Sequence, residues 1–334
     1  MICDPASDSQ TRRQFLRKSA QLSVSLATVS SPVFGAELAS PGSRISYYRD
    51  GEIYVTQVGK PEGKPLTTGY WDFKPSWSVT DNMLVCFRRL KDDPVTEKWK
   101  TAIFTMNADG SGQHFLTDGS RTDFNPTWTR DGRNMPVWSR RNEKTGGYHV
   151  LTSKIGDKPG NELVLTDQRY HTWAHSCLKD GRILVNAVLP KLGSGVFLLS
   201  TKPGGTPAYE PVTCELSKTG QLHRASISPS EKQICFEYLP GFKFREPGHI
   251  LYIADFDATQ RTISNPRAIA NHDGKSNWFA YPRWIDGESA VVYHLNKSGK
   301  GELFVYRLKE KTTTLVSTSP SADYRYPHGE SAPC

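Results

Sequence analysis

Phe124-Asn125-Pro126-Thr127-Trp128-Thr129-Arg130-Asp131-Gly132 is the stretch on which the fold turns. An aromatic residue, a proline and a tryptophan lead into an Asp-Gly turn, and a β-rich run follows. Phe73-Lys74-Pro75-Ser76-Trp77 repeats its first half. Weaker copies stand at Trp173-Ala174-His175-Ser176-Cys177-Leu178-Lys179-Asp180-Gly181, His223-Arg224-Ala225-Ser226-Ile227-Ser228-Pro229 and Ala280-Tyr281-Pro282-Arg283-Trp284-Ile285-Asp286-Gly287. With the tryptophan position as anchor, the markers are Trp77, Trp128, Cys177, Ile227 and Trp284, spaced 51, 49, 50 and 57. A period of this size means a repeat architecture, and four strands per period mean a β-propeller.

A second marker keeps the same beat. Leu66-Thr67, Leu116-Thr117, Leu165-Thr166, Val212-Thr213, Ile269-Ala270 and Leu315-Val316 each stand shortly ahead of an anchor. Alternating runs such as Met83-Leu84-Val85-Cys86-Phe87 and Ile103-Phe104-Thr105-Met106 fill the interval and read as strands. Each repeat is therefore four antiparallel strands, A to D, with A carrying the anchor. No segment after the leader holds a helical period. Tyr324-Arg325-Tyr326-Pro327-His328 begins a sixth strand A, and the chain ends at Cys334 before B, C or D can follow. Ile45-Ser46-Tyr47-Tyr48 and Glu52-Ile53-Tyr54-Val55, joined by a tight Asp50-Gly51 turn, supply the missing strands. A C-terminal strand joining the N-terminal blade closes the ring at six blades and removes both open edges.

The N-terminus reads as a leader. Thr11-Arg12-Arg13-Gln14-Phe15-Leu16-Arg17-Lys18 resembles a twin-arginine export signal, followed by a modestly apolar stretch from Ala20 to Phe34 and small residues at Gly35-Ala36. The expected organisation is a signal peptide over 1–36, a linker over 37–43 and one propeller over 44–334. The location implied is periplasmic or otherwise exported. The formal charge is +8; losing Arg12, Arg13, Arg17, Lys18, Asp4 and Asp8 with the leader makes it +6. No membrane span and no nucleic-acid partner are expected, and the protein is expected to be a monomer. Of the six cysteines, Cys86, Cys177 and Cys235 fall on strands of different blades and read as small core residues; the spacing gives neither a metal knuckle nor a disulfide framework.

Propeller geometry then sorts the loops. The A–B turns are minimal, whereas the D–A and B–C connections on the opposite face are long and varied, which is where function usually sits. His171, His175, His223, His272 and His328 precede or enter a strand A. Arg224, Arg283 and Arg325 share those segments with Trp71, Tyr170, Trp173, Trp278, Phe279, Tyr281, Tyr324 and Tyr326. Arg88, Arg89, Lys91, Arg140, Arg141, Lys144, Lys191, Lys243, Arg245, Lys297 and Lys300 are assigned to B–C loops. One face should thus be positive, aromatic and His-rich around a central pit, suited to an anionic ligand. His175, Arg325, Trp71, Trp173, Trp278, Tyr281 and Tyr326 are the expected ligand-binding residues. The competing reading makes the histidines hydrogen-bonded channel residues and Phe73, Phe124 and Trp173 wedges between blades. Imidazoles from several blades could also hold Mn²⁺ or Zn²⁺, with His328, His175 and Asp323 the expected ligands. In a strand, His171 and His175 lie about 13 Å apart and could not share one ion. There is no Gly-x-Ser-x-Gly, P-loop or dinucleotide fingerprint.

Met106-Asn107-Ala108-Asp109-Gly110-Ser111-Gly112-Gln113-His114-Phe115-Leu116-Thr117, with the Phe124–Gly132 stretch after it, resembles the TolB-type propeller repeat, and the resemblance runs over 44–330. It implies a periplasmic binding scaffold, with an acidic saccharide or an envelope protein as partner. Asp323-Tyr324-Arg325-Tyr326-Pro327-His328 is similar, through Pro327 and His328, to the segment that holds Mn²⁺ in oligogalacturonate lyases. That likeness implies an alternative, metal-assisted β-elimination on an acidic polysaccharide, with His171 or His223 as base and Arg224 or Arg283 as charge clamp.

Overall fold

The structure is a computed structural model describing residues 43–60, 63–92, 99–201, 205–241, 248–271, 281–297, 300–319 and 321–329. The leader with Arg12 and Arg13, and His272, Trp278, Phe279, Lys243, Arg245 and Cys334, lie outside them. In chain order the strands are β1 (Arg44–Arg49), β2 (Glu52–Gln57) and β3 (Lys64–Pro65), then β4 (Trp71–Trp77), β5 (Met83–Asp92), β6 (Trp99–Asn107) and β7 (His114–Phe115). Next come β8 (Asp123–Trp128), β9 (Pro136–Arg141), β10 (Tyr148–Thr152) and β11 (Leu163–Val164), and then β12 (His171–Cys177), β13 (Ile183–Leu189), β14 (Gly193–Ser200) and β15 (Ala208–Pro211). The chain continues with β16 (Thr213–Cys214), β17 (Gly220–Ile227), β18 (Gln233–Pro240), β19 (Ile250–Asp257) and β20 (Thr262–Asn271), and ends with β21 (Arg283–Ile285), β22 (Ala290–Lys297), β23 (Lys300–Arg307), β24 (Thr312–Leu315) and β25 (Tyr324–Gly329). They form six sheets, each a blade of four antiparallel strands, with one extra strand in the fourth.

β25 pairs with β1 ahead of β2 and β3, so the two ends of the described chain share one blade, as the sequence predicts. Its Asp50-Gly51 turn has both residues at positive φ, 51° and 106°, the hairpin geometry that matches strand twist. The fourth blade departs from the others. Thr213 and Cys214 run parallel to β20 as a fifth strand, which is why the repeat is least regular there.

The two markers have physical jobs. The Leu of each Leu-Thr pair donates its N–H to strand C and the Thr hydroxyl accepts one back: Leu66 to the Ile53 carbonyl (2.7 Å) and Ile53 to Thr67 Oγ1 (3.0 Å). Leu116, Ile103 and Thr117 repeat this at 2.8 and 2.9 Å, and Leu165, Val150 and Thr166 do likewise. In the fifth blade the working pair is Val316-Ser317, one residue later than the predicted Leu315-Val316. The anchor tryptophans tie neighbouring blades. Trp128 Nε1 donates to the Ser76 carbonyl (2.8 Å) and Trp284 Nε1 to the Ser226 carbonyl (2.9 Å).

Packing between blades is apolar. Tyr48, Phe73, Phe87, Trp128 and Trp138 form one buried cluster across the sixth, first and second blades. Phe73 stacks on both Tyr48 and Phe87 at 5.1 Å, the wedge role. Cys86, Cys177 and Cys235 are buried in three different blades.

One expectation fails. Arg88, Arg89, Lys91, Arg140 and Arg141 are not on B–C loops but within β5 and β9, and Lys297 and Lys300 end β22 and β23. Lys144 and Lys191 alone of the described set lie between strands. Arg88 makes a two-pronged bond to Asp72 (2.7 and 2.9 Å), directly across the strand pair, and Arg140 does the same to Asp123 (2.7 and 3.0 Å). Strand B runs longer than hydrophobic alternation indicates because these buried pairs carry the polar residues inside the sheet.

Candidate anion site in the axial cavity

Strand A is interrupted in the same way around most of the ring. The pairing with strand B skips between Phe73 and Ser76, Phe124 and Thr127, and His223 and Ser226. At each interruption one residue adopts a left-handed backbone: Lys74 (φ 48°), Asn125 (53°) and Arg224 (49°), joined by Tyr281 (37°) and Tyr326 (51°) at the same place of the repeat. Four of the five precede proline. Non-glycine residues pay on the order of 1–2 kcal/mol for this geometry, and it persists where surrounding structure imposes it. Its effect is to turn these five side chains toward the axis. In the third blade the irregularity is one residue, between Ala174 and Ser176.

These positions line a cavity of about 450 Å³, counted to its opening to solvent, with His175, Arg283 and His328 also in the wall. Lys74 Nζ donates to Asn125 Oδ1 and lies 4.0 Å from the centre of the Tyr281 ring and 5.3 Å from that of Tyr326. Arg224 stands over the other reach of Tyr281 at 4.6 Å and pairs with Glu237. Arg283 donates to the Pro282 carbonyl at 2.8 Å and the Arg224 carbonyl at 3.4 Å. Tyr281 and Tyr326 meet edge-on at 4.8 Å, and His294 stacks on Tyr281 at 5.6 Å.

Glu237 is fully buried. Burial alone would raise its acid pKa, but the Arg224 charge and hydrogen bonds from His249 (2.6 Å) and Arg224 outweigh it, so the carboxyl is held well below the usual range. Its ionised oxygens require His249 to donate from Nδ1. Lys74 is pushed the other way: burial first, then the Arg224 and Arg283 charges, hold its ammonium pKa well below the ordinary lysine value, with Glu237 opposing. Burial and the neighbouring Tyr281 keep the Tyr326 phenol protonated.

The cavity histidines are committed to the frame. Asn186 Nδ2 donates to the Leu222 carbonyl (2.8 Å), which presents its Oδ1 to His175 Nε2 at 2.6 Å; that nitrogen carries the proton. Burial, supplemented by the Arg283, Arg224 and Lys74 charges, draws His175 down to about 3. His328 Nδ1 lies 3.0 Å from the Gly329 carbonyl and 3.3 Å from the Trp77 nitrogen, and its Nε2 meets Ser76 Oγ at 3.1 Å; in the third blade Ser176 Oγ accepts the Ile227 N–H. Burial and Arg283 bring His328 to about 3.

The other expected site residues fall elsewhere. His171 packs at the rim against Trp173 and Tyr148, 4.6 and 4.8 Å away, and Trp173 in turn faces His223 at 5.6 Å. Neither His171 nor His223 is in the cavity wall, although His223 adjoins Arg224 on β17 and is drawn well below the ordinary histidine value by burial and then that charge. Trp71 is an exposed rim residue beneath Arg89. Arg325 pairs with Asp323 (2.8 Å), whose same oxygen accepts the Gly301 N–H at 2.9 Å. His328, His175 and Asp323 therefore each hold other partners, and among the described residues no three His, Cys, Asp or Glu side chains are gathered to hold a metal. Lys74, Asn125 and Glu237 were not anticipated. The residue before the strand-A proline marks the first two, and a Glu inside the apolar run Ile234-Cys235-Phe236-Glu237-Tyr238 marks the third.

No family model matches the chain. Dipeptidyl-peptidase 5 of Porphyromonas endodontalis is 50% identical over 38 residues, 11% of this chain and 6% of that protein. Among solved structures, TolB from Acinetobacter baumannii superposes with a TM-score of 0.63 at 13% identity, over 86% of this chain and 66% of its own. A putative TolB from Agrobacterium tumefaciens gives 0.56 at 12% identity, over 87% and 99%. Kuenenia stuttgartiensis hydrazine synthase gives 0.63 at 15%, over 89% of this chain but 48% of its own. Identities this low speak for architecture alone. By fold, the chain is a TolB-like six-bladed β-propeller.

Proposed function

We propose that this protein is an exported binding propeller whose axial cavity takes the acidic group of an anionic ligand, an acidic oligosaccharide or an envelope protein. One observation carries the reading: Lys74, Arg224 and Arg283, from three different blades, converge on one cavity, and among the described residues a single carboxylate, Glu237, pairs with them, through Arg224. A partly desolvated site with surplus positive charge attracts anions, and its low dielectric strengthens each contact. The Tyr281 and Tyr326 rings offer flat apolar surface beside the cations, which suits a sugar face. Export rests on the Arg12-Arg13 leader pattern and is tested by replacing both with lysine in a reporter fusion, which should retain the reporter inside the cell.

Calorimetric titration with oligogalacturonate tests the binding. The expected result is an affinity that falls steeply with added salt. It should drop about 10-fold or more in Arg283→Met, the worth of one charge-assisted hydrogen bond. Salt-independent binding, or binding untouched by the substitution, overturns the reading. Unsaturated uronate product in the same mixtures would establish β-elimination and replace the binding module with a lyase.

A further inference from the structure

We infer that the axial cavity prefers a compact dianion, carrying two negative charges within one small head, to the single carboxylate of one uronate residue. This rests on the anion-binding reading above and names the ligand class within it.

Charge is unbalanced in the cavity. Among the described residues Glu237 is the acid paired with a cavity cation, and it is already satisfied: one oxygen faces Arg224 and the other faces His249. Arg224 and Glu237 thus cancel. Two basic groups are left over, Arg283 and Lys74. Arg283 has backbone carbonyls as its hydrogen-bond partners, those of Pro282 and Arg224. Lys74 has the neutral Asn125 amide and two aromatic faces. Among the described residues neither has a carboxylate within ion-pair distance. Buried charges are normally paired, and two like charges sharing a cavity are costly. A monoanion answers Arg283 alone; a dianion answers Arg283 together with a Lys74 that takes up a proton on binding.

The wall favours the same class. His175 and His328 are held neutral by burial and the neighbouring cations and add no charge to the count. Asn125 spends its oxygen on Lys74, so its amide hydrogens remain to donate to a ligand oxygen. Phosphomonoesters and short dicarboxylates share this chemistry.

A bound dianion also restores the Lys74 ammonium, which burial and its cationic neighbours disfavour in the empty cavity. Binding at mildly alkaline pH should then take up a proton, seen as a dependence of the calorimetric heat on the buffer's ionisation enthalpy.

The experiment titrates the full chain with malonate, inorganic phosphate and acetate at low salt. Malonate and phosphate are expected to bind at least 10-fold more tightly than acetate. Lys74→Met should reduce that ratio to near unity and remove the proton uptake, while its melting temperature controls for folding. Lys74→Arg, which keeps the charge, should retain the preference and lose the proton uptake. Equal affinity for malonate and acetate overturns the dianion inference while leaving anion binding intact. No binding of any of the three overturns both. Preference for phosphate with no affinity for malonate narrows the class to phosphomonoesters.

Discussion

Lys74, Asn125, Arg224, Tyr281 and Tyr326 show how a single backbone angle decides chemistry. Each is a non-glycine residue at positive φ, and each contributes to the wall of one cavity from a separate blade. The sequence draws attention to histidines because imidazoles are the conspicuous reactive groups. Yet His175 and His328 are spent on Asn186, Trp77 and Ser76. Their chemistry shows in stability instead. His149 is drawn to about 4 by burial and then Arg140, and His175 and His328 to about 3. All three titrate below the ordinary histidine value, so below about pH 6.5 the unfolded chain binds more protons than the folded one. Stability is therefore fully present above about pH 6.5 and falls as the pH drops toward 4, by up to about 1.4 kcal/mol per pH unit for each such histidine. Urea midpoints measured across that window should show it, and His175→Gln should reduce the slope by one proton.

Strands A and B together explain what the repeat conceals. Asp72 opposite Arg88 and Asp123 opposite Arg140 are cross-strand pairs inside the sheet. From sequence the arginines read as loop cations, because a buried charge and an exposed one look alike until the partner is placed. Asp72→Asn leaves Arg88, 4% exposed, beside a neutral amide; the expected loss is about 3 kcal/mol in denaturant unfolding. Adding Arg88→Met should return part of it, and a double variant as unstable as the single would count against the pair. Polar residues also occupy one register of strand B in successive blades. Ser139 Oγ accepts the Ala174 N–H at 3.1 Å, Asn186 donates to Leu222 and His294 Nδ1 accepts the Tyr326 N–H at 3.4 Å, each reaching the next blade. The Leu-Thr marker was legible as a beat without its cause. Thr117→Val strands the buried Ile103 N–H and should cost about 1–2 kcal/mol.

For the whole ring, the blade count and the shared terminal blade were readable because a fixed period admits few architectures. The seam was not. Gly301 lies where β25 passes, and a Cβ there would sit 1.9 Å from the Tyr324 carbonyl oxygen. Gly301→Ala should loosen the closing strand, lowering the melting temperature and exposing the C-terminus to protease; unchanged protease resistance would argue against a strand packed so closely. The opposite face is belted by its short turns: Lys179 N–H to Glu231 (2.6 Å), Ser230 Oγ to Glu288 (2.7 Å) and Asp286 N–H to Ser43 (3.2 Å). Arg130 reaches from the second blade to the Ser228 and Pro229 carbonyls of the fourth. Distant residues meet because this ring is closed. A bromide-soaked crystal reads out that meeting without assuming a ligand. The strongest anomalous peak should lie in the axial cavity, between Lys74 and Arg283. Bromide confined to the outer surface, with the axis empty, would refute the anion site.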